Sequence, residues 1–190
     1  VLNIKKAMIR CLSIVSLFCL IASTSIVNAA DLKFADDGEV GFFIKKLGMK
    51  VIDADFQQVE SNIRFDPNHL DQTQIHFVIQ VDSIDLSNST LHDMLLSEDL
   101  FDVAKYKEIT FDSTQIQSLG SNKYNVFGNL TIKGKTRQVV FYTTIEPDSD
   151  GTFDFKAATQ IQTKNFAMQS KFGSLTDHVD IFVDGSLVKK

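Results

Sequence analysis

The 190-residue sequence predicts an all-β domain of about eight antiparallel strands, closed as a barrel or packed as a sandwich, behind a cleavable leader. Three observations carry this. Apolar residues recur at every second position over most of the chain. The breaks between these runs are short and hold turn-forming residues. A basic cluster followed by an apolar run sets the N-terminus apart from the fold.

Residues 1–29 read as a secretory signal peptide. Lys5, Lys6 and Arg10 precede an apolar run over 11–22, and small residues follow up to Val27-Asn28-Ala29, the expected cleavage site. The run falls short of the ~17–25 residues that a membrane-spanning helix needs. The expected product is one domain, 30–190, in the periplasm. Cys11 and Cys19 both lie in the leader, so that product has no disulfide and depends on its apolar core. Losing Lys5, Lys6 and Arg10 with no acid lowers the formal charge of −5 by three. Such an acidic surface argues against nucleic acid and against anionic membranes as partners.

In chain order the period-two runs are 40–46, 50–59, 74–81, 109–119, 124–132, 137–145, 153–161 and 179–187. In the third, Ile75, Phe77, Ile79 and Val81 alternate with Gln74, His76 and Gln80. In the fifth, Tyr124, Val126, Gly128, Leu130 and Ile132 hold one face. Turn chemistry fills the breaks at Leu47-Gly48, Asp66-Pro67-Asn68, Gly120-Ser121-Asn122, Lys133-Gly134-Lys135 and 147–151. Short connections impose antiparallel neighbours. The last run is free to close the sheet onto the first, which would remove exposed edges. Two segments break the pattern. Residues 88–103 show helical spacing at Leu91, Met94 and Leu95, with Asn88 or Ser89 as N-cap; 163–174 is short and irregular, with Phe166, Met168 and Phe172.

All but one of the sixteen Phe fall after residue 29, and there is no Trp. A barrel of ~8 strands is either filled by its own side chains or holds one small ligand. The aromatic inner faces and the interposed helix favour a cavity with a cap at its mouth. The expected lining is Phe42, Ile44, Ile75, Phe77, Ile79, Phe101, Phe111, Tyr124, Val126, Leu130, Phe141, Phe155, Ile181 and Val183, with Phe43 as the alternative to Phe42 because both neighbours are apolar. Polar motifs are weak by comparison. His69, His76, His92 and His178 lack metal-site spacing, and Glu98, Asp99 and Asp102 lack the glycine-punctuated loop of a calcium site. His92, Asp93 and Ser97 are the residue types of a triad, but no nucleophile elbow surrounds Ser97, and His92 and Ser97 do not share a helix face. No catalytic residue, metal or cofactor is expected.

Two stretches resemble the YceI-like family of secreted bacterial proteins. The first matches at Leu95, Ser97, Asp99, Phe101, Asp102 and Val103, then Tyr106, Ile109, Phe111 and Ser113. The second is a hairpin, matching at Gly128, Leu130, Thr131, Ile132, Gly134, Thr136 and Arg137. The likeness runs from about residue 41 to 187. It implies a lipocalin-like eight-stranded antiparallel barrel with an apolar tunnel for a long-chain lipid: a polyisoprenoid, a quinone-like molecule or a fatty amide. It implies binding for transport, storage or stress response, without covalent chemistry. The alternative is a secreted enzyme acting on a lipid in the same tunnel, with His92 or Asp93 as base. Leu91 and Leu96 stand where the family has Arg, which predicts a less polar entrance. Stable membrane insertion is not expected, because Asp180 and Asp184 lie on the polar face of the last strand, where a transmembrane barrel needs an apolar band. A homodimer is compatible with all of this.

Overall fold

The computed structural model describes residues 30–86, 88–148, 151–169 and 177–190; the expected signal peptide and Phe172 lie outside the described residues. The strands are β1 (Ala30–Phe34), β2 (Glu39–Lys46), β3 (Met49–Phe56), β4 (Val59–Phe65), β5 (Gln74–Gln80), β6 (Ile84–Asp85), β7 (Glu108–Gly120), β8 (Lys123–Ile132), β9 (Lys135–Pro147), β10 (Phe153–Gln162) and β11 (His178–Lys189), with one helix, α1 (Ser89–Leu96). Strands β1-β4-β5-β7-β8-β9-β10-β11 follow one another round a closed eight-stranded antiparallel barrel, because β1 pairs with both β4 and β11.

β11 has two neighbours on one edge. Near its end, Leu187 to Lys189 pair with β1; earlier, Asp180 to Asp184 pair with β2. The last run therefore meets the first predicted run, at Ile181 opposite Phe42, as expected. β2, β3 and β6 continue the wall from there.

The structure differs from the sequence reading in three places. The run expected over 50–59 breaks after Phe56 and resumes as β4, whose alternation is weakened by Ser61. That hydroxyl accepts the Phe34 N–H at 2.7 Å, so it serves the pairing with β1 in place of an apolar contact. β1 itself was hidden by its shortness and its position beside the expected cleavage site. The helix is shorter than 88–103. Asn88 caps it, its side chain accepting the Leu91 N–H at 3.1 Å. After Leu96 the chain turns back: the N–H groups of Phe101, Asp102 and Val103 donate to the carbonyls of Leu95, Ser97 and Leu96, satisfying the helix end.

One end of the barrel is solid. Leu32, Ile63, Ile145 and Leu187 are almost fully buried there. Phe65 packs edge-on against Tyr124 at 5.7 Å and Phe153 at 5.4 Å, and Phe34 against Phe77 at 5.7 Å. A bulge in β7 between Ser113 and Gln115 shifts the phase, so that Ile116 stays buried opposite Val126. The outer face is charged: Lys156 meets Asp184 at 2.8 Å, Gln160 donates to Asp180 at 2.9 Å, and His76 pairs with Asp112 at 2.6 Å. Among the described residues no helix is long and apolar enough to cross a membrane.

Candidate functional site

The other end of the barrel is hollow. Above the Phe77 and Phe155 level lies a cavity of about 100 Å³. That exceeds the ~10–15 Å³ one water requires, yet a space lined this way stays dry, because a water needs polar partners. Among the described residues no charged side chain lines it. Its polar side chains are Thr143, whose hydroxyl donates to the Phe141 carbonyl at 3.3 Å, and Thr163.

The walls come from the inward phase of each strand. Of the residues expected to line a cavity, Phe42, Ile44, Ile75, Phe77, Ile79, Phe101, Phe111, Val126, Leu130, Phe141, Phe155, Ile181 and Val183 all do. Phe42 points in, 6% exposed, while Phe43 points out and stacks on Phe182 at 6.0 Å. Tyr124 is the exception. It faces inward and is buried, but it sits in the solid end against Phe65, where burial pushes its hydroxyl pKa up. Alternation assigned its face correctly and could not give its height along the barrel.

The roof was less legible. Met94 and Leu95 of α1, Leu100 and Phe101 of the following turn, and Met168 beyond β10 close the space from above. Phe101 anchors this roof, with its ring 6.1 Å from Phe42 and 6.2 Å from Phe56. Lys133, in the β8–β9 turn, donates to the carbonyls of Glu98 (2.6 Å) and Ala167 (3.1 Å), and the Gln169 N–H donates to the Asp99 carbonyl (2.9 Å). One lysine thus ties two roof segments to the wall. Leu91 and Leu96 are not among the lining residues, and Leu96 packs on the core. Ile52, Phe56, Ile109, Ile132, Ile161 and Val179 complete the walls; the last four share the phase of residues already chosen.

The polar groups lie elsewhere. His92 Nδ1 is 3.4 Å from Asp93, Ser97 donates its hydroxyl to the Met94 carbonyl at 2.6 Å, and neither His92 nor Asp93 reaches the cavity. Asp66 is buried and receives the Asn68 N–H at 2.8 Å and the His69 ring at 2.8 Å. The His69 bond is the main reason its carboxyl is held below the usual range.

A family model described as the YceI-like domain matches residues 34–187. The chain belongs to the YceI-like family. Its relatives include a UPF0312 protein of Yersinia pestis, 27% identical over 184 residues that cover 92% of this chain and 95% of the relative. Among solved structures, this YceI-like chain is similar to Burkholderia cenocepacia BcnA at a TM-score of 0.75, with 29% identity over 83% of this chain and 99% of BcnA. It shares its fold with a polyisoprenoid binding domain from Saccharophagus degradans, TM-score 0.65, 12% identity, covering 86% of this chain and 99% of that one. These likenesses agree with the closed antiparallel barrel described above.

Proposed function

We propose that this YceI-like protein is a periplasmic carrier that holds the tail of a long-chain apolar lipid inside the barrel, for transport, storage or stress response. A polyisoprenoid, a quinone-like molecule and a fatty amide all fit that description. The observation that carries the reading is the roofed cavity, with no charged side chain among the described residues that line it. The Saccharophagus degradans domain, a polyisoprenoid binder by name, supports it through the shared fold.

Energetics require a long tail. Each buried methylene gains ~0.8 kcal/mol, so ten give about 8 kcal/mol before ordering costs. Micromolar affinity needs ~8 kcal/mol net. A slim chain of methylenes suits a narrow space between rings. Because His92 and Asp93 lie outside the cavity, the reading favours binding over turnover of the lipid. The signal peptide read at 1–29 would deliver the domain to the periplasm.

The test is extraction of the protein purified from its own host, with mass spectrometry of the organic phase. A stoichiometric prenyl or long-chain lipid is expected. Protein that is always empty, and that takes up neither prenols nor acyl amides on titration, would end the proposal.

A further inference from the structure

Three of the large apolar side chains most exposed among the described residues crowd the β2–β3 hairpin: Leu47 at 91%, Met49 at 67% and Val51 at 46%. The turn is an uncomfortable place for the first of them. Leu47 and Gly48 have φ values of 51° and 81°, a two-residue turn with both central residues left-handed. Such turns favour Asn, Asp or Gly at the first position, and a bulky residue there is strained. Left-handed pairs recur in this fold at Ser121-Asn122 and Lys133-Gly134, where the non-glycine residues are polar. Leu47 therefore costs the barrel both backbone strain and exposed apolar surface, and a side chain so exposed recovers neither through packing.

The charge around it is of one sign. Between Glu39 and Asp53 the chain has Lys45, Lys46 and Lys50 and no acid, in a protein of net charge −5. The ammonium groups of Lys45 and Lys50 each lie 4.6 Å from the Phe43 ring centre, gathered on the outer side of the hairpin, with Lys50 also 2.8 Å from Asp53. The hairpin also rises from the cavity wall: Ile44 and Ile52, a cross-strand pair at its base, both line the space.

We propose that the β2–β3 hairpin is a membrane-docking tip. Leu47, Met49 and Val51 enter the acyl layer of an anionic bilayer, and Lys45 and Lys50 meet lipid phosphates. Docking in this way sets the hollow half of the barrel beside the bilayer, so a tail passes between the two with little exposure to water. The acidity of the whole chain, which argues against anionic membranes, is reversed locally here. The purpose of the docking rests on the carrier reading; the docking itself does not.

The test uses the purified protein with sedimenting vesicles of phosphatidylcholine, with and without phosphatidylglycerol. Binding to the phosphatidylglycerol vesicles is expected, weaker on phosphatidylcholine alone and in high salt. Leu47→Asn should weaken it by at least ~tenfold, the loss of one buried leucine side chain. The same variant should raise the melting temperature, since Asn suits the left-handed position. Lys45→Glu with Lys50→Glu should remove the preference for phosphatidylglycerol. Uptake of a detergent-solubilised prenol is the separate readout: docking that responds to Leu47→Asn while prenol uptake fails would uphold the hairpin and remove the carrier reading. Absence of vesicle binding, or binding indifferent to these substitutions, would overturn the proposal. So would a self-association that Leu47→Asn dissolves in protein that binds no vesicles, because the hairpin would then be a contact between copies.

Discussion

Replacing Ala157 by Leu should push stability and ligand affinity in opposite directions. Ala157 is 6% exposed and its methyl faces the cavity, between Thr143 on β9 and Val183 on β11. An empty space of about 100 Å³ penalises the unloaded fold by roughly 2.4 kcal/mol at ~24 cal/mol per Å³. The three carbons that Leu adds gain ~0.8 kcal/mol each when buried, also about 2.4 kcal/mol. The lipid-free variant should therefore gain up to about 2 kcal/mol, which for a domain of this size raises the melting temperature by roughly 4–8 °C. The same three carbons displace about three methylenes of a bound tail, weakening affinity ~fiftyfold. Circular dichroism of delipidated protein reads the first effect. Displacement of a fluorescent polyene acid reads the second, the ligand supplying the signal because the chain has no Trp. A variant that melts lower with unchanged affinity would refute the reasoning, since overpacking a filled core costs ~1–3 kcal/mol.

Further outcomes follow from the same geometry. Phe101→Ala removes the ring that joins the roof to Phe42 and Phe56, so it should destabilise by ~3 kcal/mol and speed lipid release in stopped-flow measurements; an unchanged off-rate would show that the roof does not gate the cavity. At Gly128 an added Cβ would strike the Phe111 ring and lie 2.6 Å from the Asp112 carbonyl, so Gly128→Ala should cost ~1–3 kcal/mol. Adding Phe111→Leu should recover part of that loss in a double-mutant cycle. The Asp66 carboxyl is held low in the fold, so its stabilisation is complete above the ordinary carboxylate pKa and fades as pH falls through and below it. Asp66→Asn should thus destabilise at neutral pH in chemical denaturation, with the gap to the parent narrowing below pH ~4.

The sequence exposed what has a period and hid what does not. Phe111 and Phe155 alternate with polar neighbours, so alternation alone gives their inward face, whereas Phe42 stands beside Phe43 and alternation does not choose between them. The phase gives no height. Tyr124 and Val126 are equally inward, yet one packs in the solid end and the other lines the cavity. Ile109 and Ile132, in phase with Phe111 and Leu130, were within reach of the same reasoning. Met94 and Leu95 were legible only as the apolar face of a capping helix, and Leu100 and Met168 were not legible as lining, since turn residues find the cavity through the tertiary path of the chain. Lys133 is the clearest case of hidden information. Its neighbours in sequence predict a hairpin turn, whereas its bonds to Glu98 and Ala167 join segments more than thirty residues away on either side.

The cavity reading has a direct test in methionine methyl NMR, because the three methionines in the described structure report on different places. Met94 and Met168 line the cavity, and Met49 is 67% exposed on the β2–β3 hairpin. On titration of ¹³C-methyl-labelled protein with a detergent-solubilised prenol, referenced to the same detergent without prenol, the methyl signals of Met94 and Met168 should shift and show cross-relaxation to the tail, while that of Met49 shows no further change. Prenol binding that leaves Met94 and Met168 unmoved would contradict a tail held inside the barrel.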